Sequence, residues 1–172
     1  GKEDQALSAI PETERADVIR RLMLDARAEP LRRRVIALLI EAWIDSRDSE
    51  PSPSLGQVER LLWLNQISEA IGVASLLIKQ SPDSAEAIQG VAELLGSSRD
   101  PEARKQAIVW WDQLAAGSTA GSDLWHKAKL SAIRLLAVTG QNDQARQRAQ
   151  YILLTKPDLQ LDLRRRYQAV SN

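Results

Sequence analysis

The stretch NQISEAIGVASLLIKQSPDS (residues 65–84) contains a spacing of residues that returns in GQNDQARQRAQYILLTKPD (residues 140–158). In each stretch, two alanines four residues apart are followed by an aliphatic residue and then by a proline. The residues concerned are Ala70, Ala74, Leu77 and Pro82 in the first stretch and Ala145, Ala149, Ile152 and Pro157 in the second. Self-similarity of this kind predicts a protein built from stacked helical units.

The composition is that of a folded protein with no evident chemical specialisation. The 172 residues are 44% hydrophobic, which is enough for one domain with a substantial core. The 23 basic and 23 acidic side chains balance, so there is no general electrostatic reason to expect nucleic acid or a membrane surface as a partner. The absence of cysteine excludes disulfides and thiolate chemistry, but it does not fix the compartment.

No apolar run approaches the roughly 20 residues that a membrane span requires. We therefore expect a soluble protein without membrane insertion, whose compartment and oligomeric state the sequence leaves open. The chain begins with Gly1 rather than with Met, which leaves open that it is a piece of a longer protein.

Apolar residues recur at intervals of three and four, and the period-2 alternation of strands is missing, so the chain is expected to be all-α. Prolines, glycines and potential capping residues divide it into four helical pairs and a last helix. The predicted pairs are 13–27 with 30–47, 54–65 with 68–80, 84–96 with 100–115, and 122–139 with 142–155, and the last helix is 159–169. The expected N-caps include Ser54, Ser84, Asp100, Ser122 and Asn142, and the expected helix stops are Gly96 and Gly140.

The alanines of the second helices, with the closing prolines, resemble the second helix of a tetratricopeptide repeat. Trp125 lies where such a repeat often places its first-helix tryptophan. The resemblance covers roughly residues 54–158 and implies a right-handed alpha-alpha superhelix: a solenoid of about four hairpins with a C-terminal capping helix. One domain, 1–172, would then comprise an N-terminal hairpin (1–50), the tetratricopeptide-like hairpins (54–158) and a C-terminal helix (159–172).

Candidate partner-binding residues follow from this resemblance and from helical spacing. The resemblance implies that Glu86, Gln89 and Glu93 line the inner face of the third hairpin. Asp123 and Lys127, four residues apart in the favourable acid-before-base order, form a second strip. Arg134 lies farther along the same helix face. For both strips, the alternative that we favour is plain solvated surface.

The two adjacent tryptophans and the histidine carry separate expectations. Trp110 continues the stripe of Ala103 and Ala107 and is expected in the core. Trp111 either packs against the next hairpin, which we favour, or belongs to an exposed ligand surface. His126, the only histidine, is expected to be a surface or partly packed residue because no metal or catalytic partner is evident.

The sequence contains no Gly-rich phosphate loop, zinc motif or dinucleotide fingerprint, so we assign no catalytic, cofactor-binding or metal residues. The resemblance implies a protein-interaction scaffold or adaptor that presents a helical surface to a peptide or partner domain. The alternative is an accessory or substrate-positioning domain of a larger enzyme. A small-molecule or nucleic-acid binder would have to use the arginine runs at 32–34 and 164–166, but successive helical residues point about 100° apart and do not form one patch.

Overall fold

The computed structural model describes residues 53–171, and this part of the chain contains seven α-helices and no strands. The all-α expectation is thereby confirmed for these residues. The predicted helices 13–27 and 30–47, and with them Arg32 to Arg34, lie outside the described residues. The helices are α1 (Leu55–Trp63), α2 (Ile67–Gln80), α3 (Ala85–Ser97), α4 (Pro101–Gly117), α5 (Asp123–Val138), α6 (Asn142–Thr155) and α7 (Leu161–Ser171).

Four of the helix starts are fixed by the side chains that the sequence predicted. Ser54, Ser84 and Ser122 each accept a hydrogen bond of 3.2 Å from the backbone N–H three residues farther on. Asp100, just before the proline that opens α4, accepts two hydrogen bonds, of 2.8 and 3.0 Å, from the N–H groups of Glu102 and Ala103. These side chains satisfy donors that a helix start leaves without partners, which is why the boundaries could be predicted closely.

The predicted cap at Asn142 and the predicted stop at Gly96 are wrong. Asn142 is already helical, and the N-cap position belongs to Gln141, whose side chain makes no capping bond. Helix α3 continues through Gly96 to Ser97. Gly96 is instead a site of close packing, because a Cβ added there would lie 3.2 Å from Cδ1 of Leu135 in α5.

The turns that begin the two repeated stretches have the same backbone design. Asn65 (φ 60°) and Gly140 (φ 83°) occupy the left-handed region that commonly follows the end of a helix. The next residues, Gln66 and Gln141, donate their N–H groups back to the carbonyls of Leu61 and Leu136, at 2.9 and 2.8 Å. Both turns are therefore Schellman motifs, and each leads directly into the following helix, α2 or α6.

Packing follows the order of the helices along the chain. Each helix contacts the next, and α1 also contacts α3, α2 contacts α4, and α5 contacts α7. The predicted small residues lie at the centre of this packing, with exposed fractions of 0–1%: Ala70, Ala74, Ala103, Ala107, Ala145 and Ala149. Side chains this small allow neighbouring helices to approach closely, which gives the repeated spacing its physical meaning.

An ion pair links α4 with α6, which are the second helices of successive helical pairs. Nη1 of Arg148 lies 3.0 Å from Oδ1 and 2.8 Å from Oδ2 of Asp112. The side chain of Arg148 is 40% exposed and that of Asp112 is 34% exposed. The bond therefore adds a directional contact to the apolar stacking.

The burial of the two adjacent tryptophans of α4 is the reverse of what the stripe of Ala103 and Ala107 predicts. Trp111 is buried, with 3% of its surface exposed, whereas Trp110 is only partly buried and packs against the edge of the core. The expectation that Trp110 occupies the core is therefore wrong in degree. The packed alternative for Trp111 is the one observed, so this residue is not available to a partner.

Candidate functional site

Three of the predicted binding residues meet between α3 and α5. The amide Nε2 of Gln89 donates to Oε1 of Glu93 at 3.1 Å, and Nζ of Lys127 lies 2.9 Å from the same oxygen. The sequence suggested Asp123 as the neighbour of Lys127, but Lys127 pairs across the helix interface with Glu93. Glu86, in the first turn of α3, is exposed on the same helix.

Gln89, Glu93 and Lys127 form a polar strip, and this strip continues into a cleft of about 470 Å³ between α5 and α7. Its volume lies within the range of small-ligand sites. The wall from α5 contains Asp123, His126, Lys127, Leu130, Ser131 and Arg134. Gln160 and three residues of α7, Asp162, Leu163 and Arg166, form the other wall.

The charged groups of this cleft divide into paired and unpaired ones. Arg166 pairs with Asp162 one helical turn earlier, at 2.7 Å, and Lys127 pairs with Glu93. Within residues 53–171, Asp123 and Arg134 have neither a hydrogen bond nor an ion pair from their side chains, and both are exposed. Within the described part of the chain, the cleft thus has one carboxylate and one guanidinium without a hydrogen bond or ion pair.

His126 and Tyr167 form a buried contact beside the cleft. His126 is 5% exposed and Tyr167 is fully buried, and Nδ1 of the histidine lies 3.1 Å from the phenolic oxygen. The expectation of a surface or partly packed histidine is therefore wrong. The sequence carried a partial signal, because Tyr167 lies on the apolar stripe of the last predicted helix, but nothing connected it to a residue in another helix.

The surroundings of this pair favour neutral side chains. Burial lowers the pKa of His126, the positive charge of Lys156 lowers it further, and Asp123 opposes both effects. Burial also raises the pKa of Tyr167. The phenol therefore keeps its proton and can donate it to Nδ1 when the histidine carries its own proton on Nε2.

Trp125 packs against His126 at the start of α5. Its ring lies edge-on to that of His126, with centroids 4.9 Å apart. The ammonium groups of Lys129 and Lys156 lie 5.8 and 6.0 Å from the indole centroid, within the range of cation–π contact. The aromatic residues thus support the start of α5, where the cleft begins.

The arginine run at 164–166 does not form one basic patch. Arg164 donates to the carbonyl of Pro157, Arg166 pairs with Asp162, and Arg165 is exposed. A second, smaller cleft of about 260 Å³ lies between the C-terminal ends of α1 and α3 and contains none of the predicted binding residues.

Among residues 53–171, no group of three or more histidine, aspartate or glutamate side chains could hold a metal ion. No helix in that range is long and apolar enough to cross a membrane. Comparisons with protein-family models, curated proteins and solved structures found no match to the chain.

Proposed function

We propose that the protein is an interaction scaffold that binds a peptide or partner domain along the surface formed by α3, α5 and α7. The observation that carries this proposal is the continuity of the polar strip. The Glu93–Lys127 pair joins α3 to α5, and the cleft joins α5 to α7. The protein would act by presenting a preformed surface and would catalyse no reaction. Because the fold already orders the side chains of the site, binding loses less conformational entropy.

We further propose that the helices stack as a right-handed superhelix of the tetratricopeptide type. Three features favour it: the contacts between alternate helices, the buried alanines of the second helices, and the matching turns at Asn65 and Gly140. In such a stack the first helices of successive pairs, here α3 and α5, line one surface. The cleft then lies on the surface expected to receive a partner.

Site-specific photo-cross-linking tests the proposed surface. A diazirine-bearing amino acid replaces Ser131, which lines the cleft, and in control variants it replaces exposed residues of other helices, Gln113 of α4 or Gln144 of α6. Each full-length variant is irradiated in extract of the native host. We expect discrete adducts from position 131 that excess unmodified protein removes, and none of these adducts from positions 113 and 144. Identical adducts at all three positions, or none at position 131, would contradict the proposal.

A further inference from the structure

We propose that the α5–α7 cleft holds an extended peptide segment with two opposite charges about five residues apart. A basic side chain of the segment contacts Asp123, and an acidic side chain contacts Arg134. This inference rests on the proposed function, because it specifies the partner chemistry of the same surface. It goes further by defining a charge pattern and a direction of binding.

The first step is the position of the two unpaired groups on α5. Asp123 and Arg134 are eleven residues apart, which is about 16 Å along a helix that rises 1.5 Å per residue. At about 100° per residue, eleven steps bring the two side chains to within about 20° of the same face. The structure agrees, since both residues line the same cleft.

The second step matches this distance to a peptide. An extended chain rises about 3.3 Å per residue, so about five residues span 16 Å. A charged side chain at each end of such a segment can reach one of the two groups. A helical segment would need about eleven residues for the same span, so the shorter, extended segment is the one we propose.

The third step is the absence of competing free charges within the cleft. Lys127 and Arg166 each already pair with a carboxylate, at 2.9 and 2.7 Å. Among residues 53–171, Asp123 and Arg134 are the charged cleft residues whose side chains make no hydrogen bond or ion pair. Because their signs are opposite, a given segment binds favourably in one direction along the cleft, since the other direction would place like charges together.

The groups between the two ends suit an uncharged centre. Leu163 is partly buried and offers apolar contact at the cleft wall, whereas Leu130, 4% exposed, belongs to the core beneath it. Ser131 and Gln160 line the same cleft and can hydrogen-bond to the main chain of an extended segment. The expected segment therefore has small or apolar residues between its basic and acidic ends.

Selection from a displayed library of random twelve-residue peptides tests the pattern. The full-length protein is the bait, as wild type and as the variants Asp123→Lys, Arg134→Glu and the double variant. Asp83→Lys and Lys79→Glu serve as matched controls, since they make the same charge changes at exposed positions outside the cleft. Circular dichroism melts confirm that each variant is folded.

Wild type and both controls are expected to enrich peptides with one basic and one acidic residue about five positions apart. Arg134→Glu should weaken binding of those peptides about tenfold, because attraction becomes repulsion at one end. For the peptide that wild type enriches most, the double variant should bind the version with its two charged residues exchanged more tightly than the original. Binding that is restored by exchanging the two charges of the peptide distinguishes a changed charge pattern from general damage to the fold.

Three results would overturn the inference and remain distinguishable from failure of the proposed function. Peptides without the charge pair, or with a pair that the variants leave unchanged, refute the pattern and leave the scaffold role standing. Absence of any enriched peptide, while position 131 still forms specific cross-links, indicates a folded partner and again refutes only the pattern. Absence of both enriched peptides and cross-links refutes both proposals.

Discussion

Replacement of Tyr167 by alanine would test how α7 is held against α5. Tyr167 is the bulkiest fully buried side chain among residues 53–171 and the only fully buried residue of α7. Its hydroxyl also provides the hydrogen bond to Nδ1 of His126 at 3.1 Å. The substitution would therefore remove both the apolar anchor of this helix and a polar contact with a residue that is 5% exposed.

The two losses can be assigned separate magnitudes. Truncation of a buried aromatic ring to alanine costs about 3–5 kcal/mol of the free energy of unfolding. Removal of the hydroxyl alone, in Tyr167→Phe, is expected to cost about 1–2 kcal/mol, since a buried ring nitrogen loses its partner. Because domains are stable by only about 5–15 kcal/mol, the alanine variant would lose a large part of its stability.

Urea unfolding at pH 7.5 measures both variants, with amide hydrogen exchange as the local readout. Tyr167→Ala should lower the unfolding midpoint strongly and speed exchange in α7 and the start of α5 more than in α3 and α4. Tyr167→Phe should produce the smaller loss. A cost below about 1 kcal/mol for the alanine variant, with unchanged exchange in α7, would refute the role of Tyr167 as the anchor of this helix.

Three further predictions concern other contacts. Because the pKa of His126 in the folded protein is lowered from 6.5, its contribution to the free energy of unfolding is complete above pH 6.5 and is lost as the pH falls through the folded-state pKa. The urea concentration at the unfolding midpoint should therefore fall between pH 7 and pH 5, and it should fall less in His126→Gln. A double-mutant cycle on Asp112 and Arg148 should give a coupling free energy of about 0.5–1 kcal/mol, and zero coupling would contradict the link between α4 and α6. Gly72→Ala should raise the unfolding free energy by about 0.5–1 kcal/mol, since a Cβ there meets nothing within 4 Å. Gly90→Ala should gain less in the same denaturation assay, because its Cβ would lie 2.7 Å from a methyl group of Leu55.

The sequence predicted most helix boundaries because the signals that set them are local. Ser84 and Asp100 cap helices through bonds to N–H groups two or three residues away, so their effect can be read from neighbouring residues. The boundary before α6 was harder to predict. Gln141 completes the turn that ends α5 and is already the N-cap residue of α6, so Asn142 has no cap to make.

The contacts that define the candidate site were less predictable, because they join residues far apart in sequence. Lys127 has a suitable acid four residues earlier, yet it pairs with Glu93, which is 34 positions away. The partner of His126 is 41 positions away in α7. Helical periodicity shows which residues share a face, but the neighbour that this face meets depends on how the helices pack.

The most direct test of the scaffold account is a nuclear magnetic resonance titration of the full-length, ¹⁵N-labelled protein. The probe is the peptide most enriched by the wild-type protein in the library selection. The account predicts that amide signals shift in α5 between Asp123 and Arg134, and in α7 between Asp162 and Arg166. Shifts confined to α2, α4 and α6 would contradict it, because the partner would then bind outside the surface formed by α3, α5 and α7.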